Sequence, residues 1–128
     1  MNRRVVITGM GTINPLAHTV EETWKKLLDG ESGIDTVNTF DLDGIRSTAG
    51  GIVKNLNLEK YHIDNKLANK MDAYQQLCVC AMFEAALSAK IPMRHPEERE
   101  VVFPEFEGMK PAVSDPFRLG VMLGVGVG

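Results

Sequence analysis

One long helical segment constrains the fold of this chain more than any other feature, because its second half is apolar on nearly every side. The spacing of apolar residues predicts a helix over residues 64–89, and between positions 77 and 87 only Glu84 is charged. One face of this helix repeats at steps of three and four residues and comprises Leu67, Met71, Tyr74, Cys78, Ala81 and Ala85. A helix that is apolar all round is normally enclosed by other elements or by a partner subunit, so we expect a layered architecture.

The start of the chain predicts a strand, a loop and an amphipathic helix. Residues 4–8 contain consecutive β-branched side chains and stop at Gly9, a pattern typical of a strand that is buried on both faces. After a loop, Thr19 begins a capping box, in which side chains satisfy free backbone N–H groups at the start of a helix. Gly30 stands where that helix should end.

The remaining segments complete an alternating pattern. Turn-forming residues over positions 31–46 indicate a loop. The pattern over residues 47–53 predicts a second strand. Residues 91–117 hold five of the six prolines and predict an irregular surface connection, whereas residues 119–125 predict a strand buried on both faces. This order predicts an α/β domain with a largely parallel sheet. A buried strand end needs partners for its backbone groups, so we expect the chain to be truncated at the end of a core strand.

Charge and composition argue against several classes of protein. The 128 residues include 14 Lys and Arg against 17 Asp and Glu, a net charge of -3 that disfavours a nucleic-acid partner bound through phosphates. The apolar runs are too short to cross a bilayer, which indicates no membrane partner. Arg3 and Arg4 precede a strand pattern and not the apolar core of a signal peptide, so we expect a cytoplasmic protein.

The chemically versatile residues form no evident catalytic group. Cys78 and Cys80 diverge by about 200° on a helix, so we expect two buried thiols, with neither a disulfide nor a metal site. No Cys and His spacing typical of a metal site occurs in the sequence. The histidines, His18, His62 and His95, fall in or near predicted loops, with no nucleophile motif beside them.

Glycines after the first predicted strand raise a nucleotide-binding alternative. Gly9 and Gly11 begin like a dinucleotide fingerprint, but Asn14 occupies the position of its third glycine. The next helix begins only near Thr19, too late to present its N-terminus to a phosphate at the glycines. A stand-alone nucleotide-binding α/β module is therefore a minor alternative.

Three blocks of sequence occur in a familiar order. The first is Val-Val-Ile-Thr-Gly-Met-Gly at residues 5–11, followed by Asn-Pro-Leu at 14–16 and the segment 19–34; the second is Lys-Met-Asp-Ala-Tyr at 70–74; the third covers residues 118–128. Together they resemble the start of the β-ketoacyl-acyl carrier protein synthases over essentially the whole chain. The resemblance implies a thiolase-like layered fold with a mostly parallel mixed sheet, of which residues 1–128 would be the N-terminal portion, in a protein that is normally a homodimer.

The resemblance also implies an activity. Members of this family are acyltransferases of fatty acid biosynthesis, which condense malonyl-carrier protein with an acyl thioester as the malonyl unit loses its carboxylate. They use a nucleophilic Cys and two His, which fall beyond Gly128, so the chain alone is expected to be inactive. No cofactor is expected, because the substrates are carried on the phosphopantetheine of acyl carrier protein. A non-catalytic subunit resembling a chain-length factor, which lacks the nucleophile, is the main alternative.

Three residues of this chain match functional positions of that family. Val127 matches the apolar residue that gates the acyl-chain pocket, although simple packing explains a valine there equally well. Lys66 and Lys70 match basic residues that dock the acidic carrier protein, and solvated lysines at a helix start are an equal alternative. Asn69 stands where the family often has a third basic residue.

The chain departs from the family pattern at three further places. Asn14 replaces a small hydroxyl residue and Ala17 replaces a glycine. The connection over residues 91–117 is longer and richer in proline than the resemblance leads us to expect. These departures leave the subfamily open.

Overall fold

The computed structural model describes residues 4–94, 102–110 and 116–124. Within these ranges the helices are α1 Val20–Leu28, α2 Asn65–Ala68 and α3 Ala73–Ser88, the strands are β1 Ile34–Thr36 and β2 Ala49–Gly51, and short 3-10 turns lie at Glu59–Tyr61, Pro104–Phe106 and Pro116–Arg118. The strands pair antiparallel, with Ile34 opposite Gly51. The described chain is thus a small α/β arrangement, and the largely parallel sheet stays a prediction.

The loop before α1 is fastened to that helix by Asn14. Its Oδ1 accepts hydrogen bonds from the backbone N–H groups of Leu16 and Ala17, at 2.9 and 3.0 Å. Its Nδ2 donates to the hydroxyl of Thr23 on α1, at 2.9 Å. One amide side chain therefore folds the loop and fixes its position on the helix, a role that a shorter hydroxyl side chain has less reach to fill.

The predicted bounds of α1 are confirmed. The Thr19 hydroxyl accepts from the backbone N–H of Glu22 at 3.2 Å, which caps the helix start. Gly30 follows the last turn with a φ of 73°, a left-handed conformation that glycine adopts at little cost. The local sequence signals therefore specify this helix fully.

The prediction of a single helix over residues 64–89 is wrong, because the helix is interrupted between α2 and α3. Each helix has its own aspartate at the start: Asp64 Oδ1 accepts from Leu67 N at 2.7 Å, and Asp72 precedes α3. The side chain of Gln75 accepts a hydrogen bond from the backbone N–H of Asp72 at 2.8 Å. Two capping residues within one apolar pattern start two helices.

The core is a cluster of mostly aromatic side chains around Phe83 of α3. Its buried members are Tyr61, Ile63, Cys80, Phe83, Phe103 and Phe106. The Phe83 ring meets those of Tyr61 and Phe106 edge to face, with ring centroids 5.7 and 5.3 Å apart. Of residues 77–87, Cys80 and Phe83 are buried and the others are half-buried, so the described chain encloses this half of the helix in part. The predicted apolar face is not the most buried one, since Leu67 and Tyr74 on it are exposed.

Two segments predicted to be buried strands form no regular strand in the described chain. The side chains of Val5 and Met122 are 95% and 97% exposed. Among the described residues neither segment has a neighbouring strand to hydrogen-bond with, and an apolar run without such a neighbour gains nothing from the extended form. Position 125 lies outside the described residues. Conversely, residues 34–36 pair with β2 although a loop was predicted there.

The glycines of the first block allow the chain to pass directly over α3. A Cβ atom on Gly9 would lie 2.5 Å from the carbonyl oxygen of Ala85, and one on Gly11 would overlap the carbonyl oxygen of Ala81. Real side chains do not tolerate such contacts with a helix backbone. The pair of glycines is therefore explained by close packing.

We expect the substitution Gly11→Ala to lower the free energy of unfolding by about 1–3 kcal/mol, because the added methyl forces the loop away from α3. Gly120→Ala is the matched control, since no atom lies within 4 Å of a Cβ at that position. Urea unfolding of both variants measures the difference. Equal stability of the two variants would contradict the packing of Gly11 on α3.

Candidate functional site

Lys66 and Lys70 are both exposed, in and directly after α2. Lys66 is in α2, and Lys70 is in the turn that follows, where its backbone N–H donates to Leu67 O at 2.9 Å. Three other lysines of the described chain form ion pairs: Lys26 with Glu31, Lys54 with Asp35 and Lys60 with Glu84. Within the described ranges no acid pairs with Lys66 or Lys70, so both ammonium groups are available to an anionic partner.

The short helix that carries Lys66 is anchored on the core. Ile63, directly before its capping residue Asp64, is only 2% exposed and belongs to the aromatic cluster. Ala68 and Met71 pack against the same cluster. A four-residue helix is unstable by itself in water, so this packing is what holds the lysines in place.

A polar group at the edge of the cluster ties the turn before α2 to α3. The Glu84 carboxylate accepts from Lys60 Nζ at 2.8 Å and from the Tyr61 hydroxyl at 3.0 Å. The hydrogen bond to Glu84 raises the pKa of Lys60, and burial, followed by the contact with Glu84, raises the pKa of Tyr61. Both groups therefore keep their protons at higher pH than usual. This is consistent with a structural role for the two hydrogen bonds and not with a role as proton acceptors.

His62 makes the second tie, to a segment far along the chain. Its Nε2 lies 3.0 Å from Glu105 Oε2, and its ring stacks on that of Phe103 with centroids 4.0 Å apart and planes 12° from parallel. Partial burial by itself raises the pKa of Glu105, but the hydrogen bonds from His62 and from the backbone outweigh it and hold that pKa below its ordinary value. We call residues 102–110 the strap.

The strap was missed by sequence reasoning, which assigned residues 91–117 to a surface connection. His62 and Glu105 are 43 positions apart, and no local pattern links them. A signal was available in the pair Phe103 and Phe106 within this proline-rich segment, since aromatic side chains seek burial.

The other residues that sequence reasoning singled out form no site in the described chain. His18 is half-buried in the loop before Thr19. Gly9 and Gly11 pack on α3, and the first turn of α1 carries Glu21 and Glu22, whose charges would repel a phosphate. The structure thus gives the nucleotide-binding alternative no support. His95 and Val127 lie outside the described residues.

Neither cysteine has the surroundings of a nucleophile. Both lie within α3, away from its N-terminus, and both are free thiols. Cys80 is fully buried, and this burial raises the pKa of its thiol to about 11. Cys78 is half-buried. The prediction of a buried thiol is confirmed for Cys80.

The described ranges contain neither a metal-binding cluster nor a membrane-spanning helix. Nowhere in them do three or more His, Cys, Asp or Glu side chains come together in a way that could hold a metal ion. None of the helices described is at once long enough and apolar enough to cross a membrane.

Comparisons with known proteins cover the whole chain. The family model described as the β-ketoacyl synthase N-terminal domain matches residues 2–128. The 3-oxoacyl-acyl-carrier-protein synthase 2 of Staphylococcus aureus strain COL is 33% identical over 127 residues, which are 99% of this chain and 26% of that relative. The protein of the same name from Vibrio cholerae serotype O1 is 34% identical over 98% of this chain and 26% of its own length. The chain therefore spans about a quarter of the length of these relatives.

We expect Cys80 to resist alkylation at pH 8 until the protein unfolds. With a pKa of about 11 against an ordinary 9.0, its thiolate is about 100-fold scarcer, and burial blocks the reagent as well. A Cys78→Ser variant leaves Cys80 as the reporter, and mass spectrometry after iodoacetamide treatment follows it with and without urea. Labelling of Cys80 at the same rate in both conditions would contradict its burial.

Proposed function

The chain belongs to the β-ketoacyl synthase family and matches the N-terminal domain of that family. From this premise we propose that the whole protein is a 3-oxoacyl-acyl-carrier-protein synthase of fatty acid biosynthesis. The observation that carries the proposal is the match to relatives of that name over 99% of this chain. The reaction joins malonyl-carrier protein to an acyl thioester. The bond to the malonyl carboxylate breaks and CO2 leaves; the electron pair left behind forms the new carbon–carbon bond, and the thiol that carried the acyl group is released.

We assign the chemical step to residues beyond Gly128, where the resemblance places a nucleophilic Cys and two His. The surroundings of Cys80 support this assignment, because a buried thiol with a raised pKa is a poor nucleophile. No cofactor is part of the proposal, since the phosphopantetheine arm of acyl carrier protein presents the substrates. Within the chain, Val127 is proposed to gate the acyl-chain pocket.

The finer fold that we propose is the thiolase-like one, with residues 4–8 and 119–125 as strands of a mostly parallel mixed sheet. Two observations support it. Both segments expose apolar side chains, which elements packed on the two faces of a sheet would cover. Thr8 and Gly9 also line the same groove on α3 as Leu119 and Val121, so the two segments lie near each other on one side of this helix. A homodimer in the cytoplasm completes the proposal.

Lys66 and Lys70 are proposed to dock acyl carrier protein, an acidic partner. Both side chains are exposed, and neither has an acid as partner in the part of the chain that the structure describes. Opposite charges across an interface speed association and orient the partner, while exposed pairs add little binding energy each. The two lysines would therefore act on the association and orientation of the carrier protein and little on the chemical step.

The activity is tested by incubating the complete polypeptide that carries this segment with malonyl- and acyl-carrier protein. We expect release of CO2 together with a 3-oxoacyl-carrier protein two carbons longer than the acyl substrate. Binding of carrier protein without any condensation product would instead identify a non-catalytic subunit of the chain-length-factor kind. Absence of both binding and product would contradict the family-based proposal.

The docking role is tested by the double variant Lys66→Glu/Lys70→Glu. We expect KM for the carrier-bound substrates to rise about tenfold while kcat changes less than about twofold, because two charges at the rim of the interface are reversed. Lys25→Glu on α1 is the matched control, since it reverses an exposed helical lysine elsewhere. Equal KM values for the double variant and this control would show that the lysines are only solvated.

A further inference from the structure

We propose that the strap, residues 102–110, orients the lysine-bearing helix α2 and so sets the affinity of the protein for acyl carrier protein. This inference rests on the docking role proposed for Lys66 and Lys70 and assigns that surface a positioning device within the same chain. The strap itself is not proposed to contact the carrier protein.

The strap is fixed to the core at two points. Phe103 and Phe106 are both buried, and the Phe106 ring meets Phe83 of α3 edge to face. The backbone N–H of Phe103 donates to the carbonyl of Met93 at 3.2 Å, which joins the strap to the chain that follows α3. These contacts give the strap a defined position from which to hold another element.

The element that it holds is the turn into α2. His62 stacks on Phe103, and its Nε2 lies 3.2 and 3.0 Å from the two carboxylate oxygens of Glu105, so the strap grips both the face and the edge of the ring. Only Ile63 separates His62 from Asp64, the residue that caps α2. The direction in which α2 leaves the core therefore depends on the conformation of His62 together with the packing of Ile63, Ala68 and Met71 on the core.

That conformation is one that needs support. The backbone of His62 is left-handed, with φ 58° and ψ 28°, a region that is unfavourable for residues other than glycine. Backbone hydrogen bonds from His62 N–H to Glu59 O and from Ile63 N–H to Leu58 O close this turn, and Phe83 of α3 also meets the ring of His62. The remaining contacts that hold the side chain come from the strap. We infer that losing them frees the turn and lets α2, with Lys66, sample other orientations.

For the removal of Glu105, simple electrostatics predicts the opposite change in carrier-protein affinity, so the two explanations can be distinguished. Glu105 is an acid on a chain with a net charge of -3, so its removal should improve the binding of an acidic partner. The strap predicts weaker binding, because the positioning of the lysines is lost. Glu107→Ala removes the same charge from an exposed position of the strap and reports the electrostatic effect alone.

The test measures steady-state kinetics of Glu105→Ala and Glu107→Ala in the complete polypeptide. We expect Glu105→Ala to raise KM for the carrier-bound substrates about three- to tenfold with a much smaller change in kcat, and Glu107→Ala to leave KM unchanged or lower. Glu105→Gln retains an oxygen that can accept from His62 and should restore most of the affinity. A KM for Glu105→Ala equal to that of Glu107→Ala would overturn the proposal.

A second variant decides the matter if Glu105→Ala does not fold. In His62→Gly the backbone adopts φ 58° without strain, but the ring and its contacts to the strap are gone. We expect the same rise in KM, together with faster hydrogen exchange over residues 64–70 than in Glu107→Ala. Unchanged KM and exchange would overturn the proposal. If Lys66→Glu/Lys70→Glu raises KM while the strap variants do not, only the strap proposal fails and the docking role stands.

Discussion

The packing around Phe83 is the interaction on which the rest of the described structure depends. Its ring contacts Tyr61 from the turn before α2 and Phe103 and Phe106 from the strap, so segments more than forty residues apart converge on one side chain of α3. The polar ties of Glu84 and His62 lie at the edge of this cluster. Exposed ion pairs of this kind contribute little by themselves, and here they orient elements that apolar burial has already brought together.

In the proposed function, this arrangement separates the binding of carrier protein from the chemical step. The lysines proposed to receive the carrier protein stand on a helix too short to be stable alone, and the core beneath it supplies its rigidity. The one fully buried thiol of the described chain is in the same core, where burial suppresses its reactivity. What the described chain offers to the proposed reaction is therefore a positioned surface, and the reacting groups are assigned elsewhere in the protein.

The elements that sequence reasoning predicted correctly are those specified by neighbouring residues. Helix α1 begins after Thr19 and ends before Gly30 as expected, because a capping side chain and a left-handed glycine determine the helix ends within a few residues of themselves. The break before α3 was missed because the apolar pattern is continuous across it, although Asp72 marks the new start. Residues 4–8 carry a strand pattern but have no paired neighbour in the described chain, and sheet formation requires one. The docking role of Lys66 and Lys70 stays a prediction from the family resemblance, whereas the tie between His62 and Glu105 is a tertiary contact that no local pattern encodes.

The most direct test of this account is hydrogen exchange in the variant Phe83→Leu, with Trp24→Leu on the exposed face of α1 as the matched control. If Phe83 joins the three segments, its truncation raises exchange over residues 58–72 and over the strap together and leaves α1 unchanged, while the control alters neither region. Faster exchange confined to α3, with the strap and the turn into α2 as protected as before, would contradict the central role of this cluster.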